Sequence, residues 1–210
     1  MKKIAIFVSG GGSNFKAIYE QIISRYIPAE ICLVVSNNPA SGAIDFAEKN
    51  ALPTFIINKS RYPDCHSRDI ILMNKLLKVD IGLICLAGYM KMIPKNIVSH
   101  FKNRILNIHP ALLPDFGGKG FYGMKVHEAV IQSNAAESGA TVHFVDDQYD
   151  HGPIVAQEKV NVGADDTSDS LAQKVLAVEH CIYPKVVKAF CENRIIWENN
   201  QPKIEVVIDN

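Results

Sequence analysis

Four short, almost uninterrupted apolar runs dominate the first half of the chain: Lys3–Ser9, Ala29–Ser36, Thr54–Ile57 and Ile81–Leu86. Side chains alternate across a strand, so a run that is apolar at successive positions must be covered on both faces. Between the runs lie segments with helical spacing: Asn14–Ser24 (Phe15, Ile18, Tyr19 and Ile22 on one stripe), Ser41–Asn50 and Ser67–Lys78. Strands that need two covers, alternating with helices that can supply them, form parallel βαβ units. The expected fold is α/β, a doubly wound and mostly parallel sheet. The apolar run Ile4–Val8 after two lysines is too short for a signal-peptide core and reads as the first buried strand. No stretch approaches 18 apolar residues, so no membrane span is expected.

The second half is less regular. Pro94–Phe101 reads as a short helix, Ile105–Ile108 as a strand, Pro110–Gly123 as a loop and Met124–Ser133 as a helix. Ala140–Val145 and Pro153–Val162 read as strands joined by a hairpin-like Asp146–Gly152. A long helix starts near Thr167, with Pro184 expected to break or kink it, and the tail from Arg194 reads as short strands or loose ends. Lys plus Arg and Asp plus Glu both total 22. That balance argues against a partner held through a phosphate backbone, so no nucleic-acid partner is expected. The five cysteines are odd in number and form no CxxC pair, and Cys32, Cys85 and Cys181 sit in apolar runs. They read as reduced, mostly structural thiols of a cytoplasmic protein.

Three constellations could carry chemistry. Ser9-Gly10-Gly11-Gly12-Ser13-Asn14 joins a buried strand to a helix, where backbone N–H groups and the helix terminus favour an anion and Ser13 or Asn14 could cap. It is not a dinucleotide fingerprint, because Phe15 stands where the third glycine belongs and Ser36-Asn37-Asn38 supplies no acid for a ribose. A small phosphate cradle and a plain tight turn both remain open. In Ile105–Pro114, Asn107 and His109 are two apart on a strand and share a face at its carboxyl end, which suits stabilisation of a developing oxyanion. In Asp146–Gly152, Asp150 could meet His109, raise its pKa and fix its tautomer; the alternative is a solvated acidic turn. His66, His100 and His127 sit in polar or helical surface contexts, and His143 is either a satisfied core histidine or a support for the acidic loop. His143, Asp147 and His151 show no known ligand spacing, and no metal is expected. Glu179 is a carboxylate in an apolar helical stretch, which suggests a buried partner or a ligand.

The segments SGGGSN, VVSNN, LAGYMKMI, ILNIHPALLP, TVHFVDDQYDHGPIVAQ and VEHCIYP together resemble the phosphoribosylglycinamide formyltransferases, a family of folate-dependent enzymes. The resemblance implies a Rossmann-like fold forming one domain over 1–210. Within it, 1–100 would bind the nucleotide phosphate, and 101–210 would hold the catalytic and folate-binding half. It implies transfer of a formyl group from 10-formyltetrahydrofolate to glycinamide ribonucleotide in purine synthesis, as a monomer or homodimer; the alternative is formyltetrahydrofolate hydrolase. By position, Asn107, His109 and Asp150 would be catalytic, with Asp150 holding His109 charged. Gly12, Ser13, Asn14 and Glu179 would bind the ribonucleotide. Met90, Lys91, Met92, Ile93 and Asn107, with Val98 and the loop Asp146–Asp150, would bind folate. Arg61 and Arg68 compete for the folate glutamate tail. Lys91 stands where an arginine can occur, and His151 interrupts the family's pattern of a small residue before glycine. The loop Asp115–Gly123 is expected to be mobile, with Lys119 able to reach a phosphate.

Overall fold

The structure, a computed structural model, describes residues 1–205. Its elements run β1 (Lys2–Val8), α1 (Ser13–Ile23), β2 (Ala29–Ser36), α2 (Gly42–Lys49), β3 (Thr54–Ile56), α3 (Cys65–Val79), β4 (Leu83–Leu86), α4 (Lys95–His100), β5 (Ile105–His109), α5 (Met124–Gln132), β6 (Glu137–Phe144), β7 (Ile154–Asn161), α6 (Ser168–Cys191), β8 (Ile195–Glu198) and β9 (Gln201–Ile204). β1 to β7 form one sheet in the order β3-β2-β1-β4-β5-β6-β7, and β8 pairs with β9. This is the mostly parallel, helix-flanked sheet expected of the sequence. By compactness the chain divides into two units, Met1–Leu106 and Asn107–Asn210, and β5 contributes residues to both.

In the first unit β1 pairs in parallel with β2 on one side and β4 on the other, and β2 pairs in parallel with β3. Ile4 through Val8 have no exposed surface, the expected fate of an apolar run with covers on both faces. The chain steps outward from β1 to β2 to β3, then returns to lay β4 on the opposite side of β1. The carboxyl ends of β1 and β4 are therefore a topological switch point, where open α/β sheets bind ligands. Buried Phe15 and Ile18 anchor α1, with Phe15 edge-on to Phe46 of α2 at 5.2 Å between ring centres.

In the second unit β6 and β7 are antiparallel, with Thr141 opposite Gln157 and an irregularity between Val142 and His143. The strand expected at Ala140–Val145 starts earlier, at Glu137, and β6 is buried from Ser138 to Phe144. α6 opens with a capping box in which Thr167 accepts from the Ser170 N–H and the Ser170 hydroxyl accepts from the Thr167 N–H. Lys174, the Gly163 N–H and the Ser170 hydroxyl hold the Asp166 carboxyl down at about 2. The break expected at Pro184 does not occur, and α6 runs 24 residues through it. Pro184 is buried together with Tyr183, Val186 and Val187, so packing along the helix offsets the one hydrogen bond that proline forfeits. Cys181 is exposed, unlike its apolar neighbours Ile182 and Tyr183, because it lies on the opposite face of α6. No described helix is long and apolar enough to cross a membrane.

Gly12 is the one residue of the glycine loop that packing alone demands. Its φ is +71°, and an added Cβ would sit 2.7 Å from the Ala43 Cβ. Gly12→Ala is expected to cost about 1–3 kcal/mol through backbone strain and overpacking. Urea denaturation measures it, and wild-type stability in the variant would contradict this packing.

Candidate functional site

At the end of β1 the chain turns through Ser9 to Gly12 into α1. Gly12 is the N-cap, and no side chain caps the helix. The expected Ser13 or Asn14 cap is therefore absent: Ser13 and Asn14 already lie inside the first helical turn, past the position from which a side chain caps. Asn14 is buried at 8% exposure. A Cβ at Gly10 or Gly11 would meet nothing within 4 Å, so open space borders that backbone.

At the end of β4 the chain runs through Gly88 to Ile93. A cavity of about 760 Å³ in this unit is lined by Lys91, Met92, Ile93, Tyr89, Lys59 and Arg68, among others. Arg68 donates to the Tyr62 carbonyl at 3.0 Å and borders the cavity, whereas Arg61 lies outside its lining. Met90 is also outside it, half exposed, with its N–H donated to the Ser9 hydroxyl at 2.8 Å. Burial pushes the Tyr89 phenol up to about 12, so it stays neutral. Val98 is partly buried on α4.

The second unit brings Asn107, His109 and Asp150 together. Asp150 Oδ2 lies 3.5 Å from His109 Nδ1 and accepts from the Gly118 N–H at 3.0 Å. Asp150 Oδ1 accepts from Asn107 Nδ2 at 3.4 Å and lies 3.7 Å from His143 Nε2. His143 is the participant the sequence left undecided, and it is 1% exposed. Its Nδ1 is 2.8 Å from the Phe144 carbonyl, which can only accept, so Nδ1 carries the proton. Nε2 is then the acceptor for Asn107 Nδ2 at 3.0 Å, and this sets the orientation of the Asn107 amide.

The loop expected to be mobile is tied to this cluster. The Phe116 carbonyl lies 2.9 Å from His109 Nε2, and the Gly118 N–H reaches Asp150. Phe116 and Gly118 take positive φ values, +53° and +90°, which aim their backbone groups at the pair. The only sequence signal for these two contacts was the Gly117-Gly118 pair.

Burial pushes the His109 ring below the ordinary histidine range, and Asp150 and the Phe116 carbonyl restore only part of the loss. Asp150 favours the charged ring, as expected, while burial at 4% exposure opposes it and the net shift is downward. Both ring nitrogens face acceptors, so a proton taken up during a reaction has a partner on either side. Burial pushes Asp150 up, but His109 and the Gly118 N–H favour the ionised form, and the carboxyl lies below its usual range.

The remaining candidates separate. Glu179 is 7% exposed on α6. His127, read as a surface residue, is 5% exposed because it shares the buried face of α5 with Val126 and Val130. Burial and the neighbouring His109 lower its pKa. His143 and His151 face different carboxylates: His151 Nδ1 pairs with Asp146 at 2.7 Å, and that bond raises its pKa. Lys119 is exposed.

An open α/β sheet thus carries a glycine turn at its switch point, and an amide, a histidine and a carboxylate are grouped at the end of β5. The chain belongs to the formyl transferase family, whose model matches residues 2–187. It is 47% identical over 206 residues to the chloroplastic phosphoribosylglycinamide formyltransferase of Arabidopsis thaliana, covering 97% of this chain and 70% of that one. The crystal structure of glycinamide ribonucleotide transformylase 1 from Symbiobacterium toebii superposes with a TM-score of 0.90 at 32% identity, covering 98% of this chain and 95% of the other. A formyltetrahydrofolate deformylase from Pseudomonas syringae shares the fold, with a TM-score of 0.87 at 20% identity over 66% of its length.

Asp150 favours the charged form of His109, so Asp150→Asn should move the His109 titration to lower pH, further below the ordinary value of about 6.5. Proton NMR of the imidazole C2–H follows it, and an unshifted titration would dissolve the pair. The lowered pKa of Asp150 itself contributes stability above the unfolded carboxylate pKa, about pH 4, that is lost as pH falls through the folded value. Asp150→Asn should therefore unfold with a weaker dependence on acid than wild type.

Proposed function

We propose that this protein transfers the formyl group of 10-formyltetrahydrofolate to the amine of glycinamide ribonucleotide, a step of purine synthesis. The observation that carries this reading is the Asn107–His109–Asp150 cluster, in which an amide donor and a protonatable ring flank one part-buried carboxylate. The amine attacks the formyl carbon, the new C–N bond forms and the carbonyl oxygen becomes an oxyanion. Asn107 donates to that oxyanion through the hydrogen now held in its long 3.4 Å bond to Asp150, while the 3.0 Å bond to His143 keeps the amide aligned. His109 and Asp150 take up the proton released by the amine. Returning it to the folate nitrogen as the old C–N bond breaks completes the transfer.

The substrates divide along the same lines. Gly12, Ser13 and Asn14 receive the ribonucleotide phosphate, and Glu179 accepts from the ribose hydroxyls. Met90, Lys91, Met92 and Ile93 are assigned to the folate, as are Asn107 and the loop Asp146–Asp150. Arg68, on the cavity lining, is favoured over Arg61 for the glutamate tail. Lys91 there offers a point charge and not a bidentate fork. No step calls for a metal. The five free thiols fit a reducing compartment, for which we propose the cytoplasm.

Loss of 10-formyltetrahydrofolate, followed by absorbance, should require glycinamide ribonucleotide; turnover that ignored it would make the protein a hydrolase. Removing one preorganised donor typically costs about 10²–10³ in rate, and Asn107→Ala should lose kcat in that range with KM changed far less. Gly11→Ala should raise the KM of the ribonucleotide and spare that of the folate. An added Cβ at Gly11 meets no protein atom and so intrudes only on the anion's space. Equal effects on both substrates would remove the phosphate from this loop.

A further inference from the structure

We propose that the Ser9 hydroxyl is a positioning group that joins the glycine loop to the donor pocket, so that binding of one substrate tightens binding of the other. The proposal rests on the assignment of these two segments given above.

Ser9 is the first residue after β1, directly before the three glycines. Its Oγ–H donates to Asn37 Oδ1 at 2.5 Å, and the same oxygen accepts from the Met90 N–H at 2.8 Å across 81 residues of sequence. A hydroxyl offers one hydrogen and two lone pairs, so its single hydrogen and one lone pair are committed. Asn37 passes the connection on, since its carbonyl accepts from Asn58 Nδ2 at 3.1 Å. Asn37 and Asn58 line the same cavity as Lys91, Met92 and Ile93. One side chain at the switch point thus links the ends of β1, β2 and β4 and the segment that follows β3.

The segment beyond β4 needs such a tether. The sheet ladder lets go of it after the Ala87 N–H bonds to the Phe7 carbonyl. Gly88 follows with φ +78° and open space around it, and buried structure resumes only at Ile93. Met90 and Met92 in between are 50% and 45% exposed. The Tyr89 ring is held edge-on against Phe7 at 5.2 Å, but the backbone beyond it is fixed by the bond to Ser9. That bond also commits the Met90 N–H, leaving it unavailable to a ligand. An anion that draws in the backbone of Gly10 to Gly12 shifts the hydroxyl on which Met90 hangs, and a folate ring seated beside Lys91 to Ile93 pulls on it from the other side.

Calorimetry with the non-reacting pair, tetrahydrofolate and glycinamide ribonucleotide, tests this on wild type, Ser9→Ala and Ser9→Thr. In wild type, saturating ribonucleotide should tighten tetrahydrofolate binding several-fold. Ser9→Ala should weaken tetrahydrofolate about 3- to 10-fold, the size of one lost hydrogen bond, and bring the coupling toward unity. In turnover the folate KM should rise more than kcat falls, and Ser9→Thr, which keeps the hydroxyl, should restore both affinity and coupling. Asn37→Ala, which removes the acceptor and leaves Met90 bonded, should lose part of the coupling, and it serves if Ser9→Ala does not fold. Coupling of unity in wild type, or an unchanged coupling in Ser9→Ala or Asn37→Ala, would overturn the proposal. A wild type that binds neither compound would instead overturn the assignment of function.

Discussion

From Ile4 to Val8, β1 has no exposed residue. Its apolar residues pair with β2 and β4 along both edges and are covered on both faces, and they can be buried only if the chain supplies neighbours in every direction. Short parallel connections need a helical crossover, which is why α1 and α2 follow at once. The order of strands around β1 also creates the switch point, where the chain departs toward β2 from one side and β4 arrives on the other. Ser9, Asn37 and the Met90 N–H meet there because the strand ends do, and the glycine turn faces open space there for the same reason.

A second constraint governs the Asn107–His109–Asp150 cluster. A carboxylate as enclosed as Asp150, at 12% side-chain exposure, must be compensated, because an unpaired buried charge is costly. His109, Asn107 and the Gly118 N–H all face it. These groups do double work: they keep the carboxyl ionised, and they fix the orientation of the amide and the ring beside it. The Phe144 carbonyl completes the chain of constraint by setting the tautomer of His143, and therefore which way Asn107 donates. Burial weakens the basicity of His109 at the same time. The ring is thus poised to exchange a proton and is not a fixed positive charge.

Much of this was legible in the residues. The apolar runs announced the parallel sheet, because no other arrangement covers both faces of consecutive strands. Asn107 and His109 were paired by the two-residue period of a strand, and Asp150 by the length of chain needed to bring a carboxylate back. The misreadings share a cause. Pro184 was read by its local cost, and burial of its neighbours offset that cost. His127 was read as a surface histidine, and its helix turned it inward. Phe116 and Gly118 act through backbone atoms, which every residue carries alike, so only the Gly117-Gly118 pair hints at them.

The sequence by itself determined the alternation of strands and helices, the glycine turn between β1 and α1 and the pairing of Asn107 with His109 on one strand face, since each is a local pattern with a local physical reason. The tertiary structure alone decided which of several histidines faces Asp150, which arginine borders the cavity, the protonation bias of His109 and the meeting of Ser9 with Met90. Those outcomes depend on distances between residues far apart in the chain and on how completely water is removed around them, and neither is written in any short stretch of sequence.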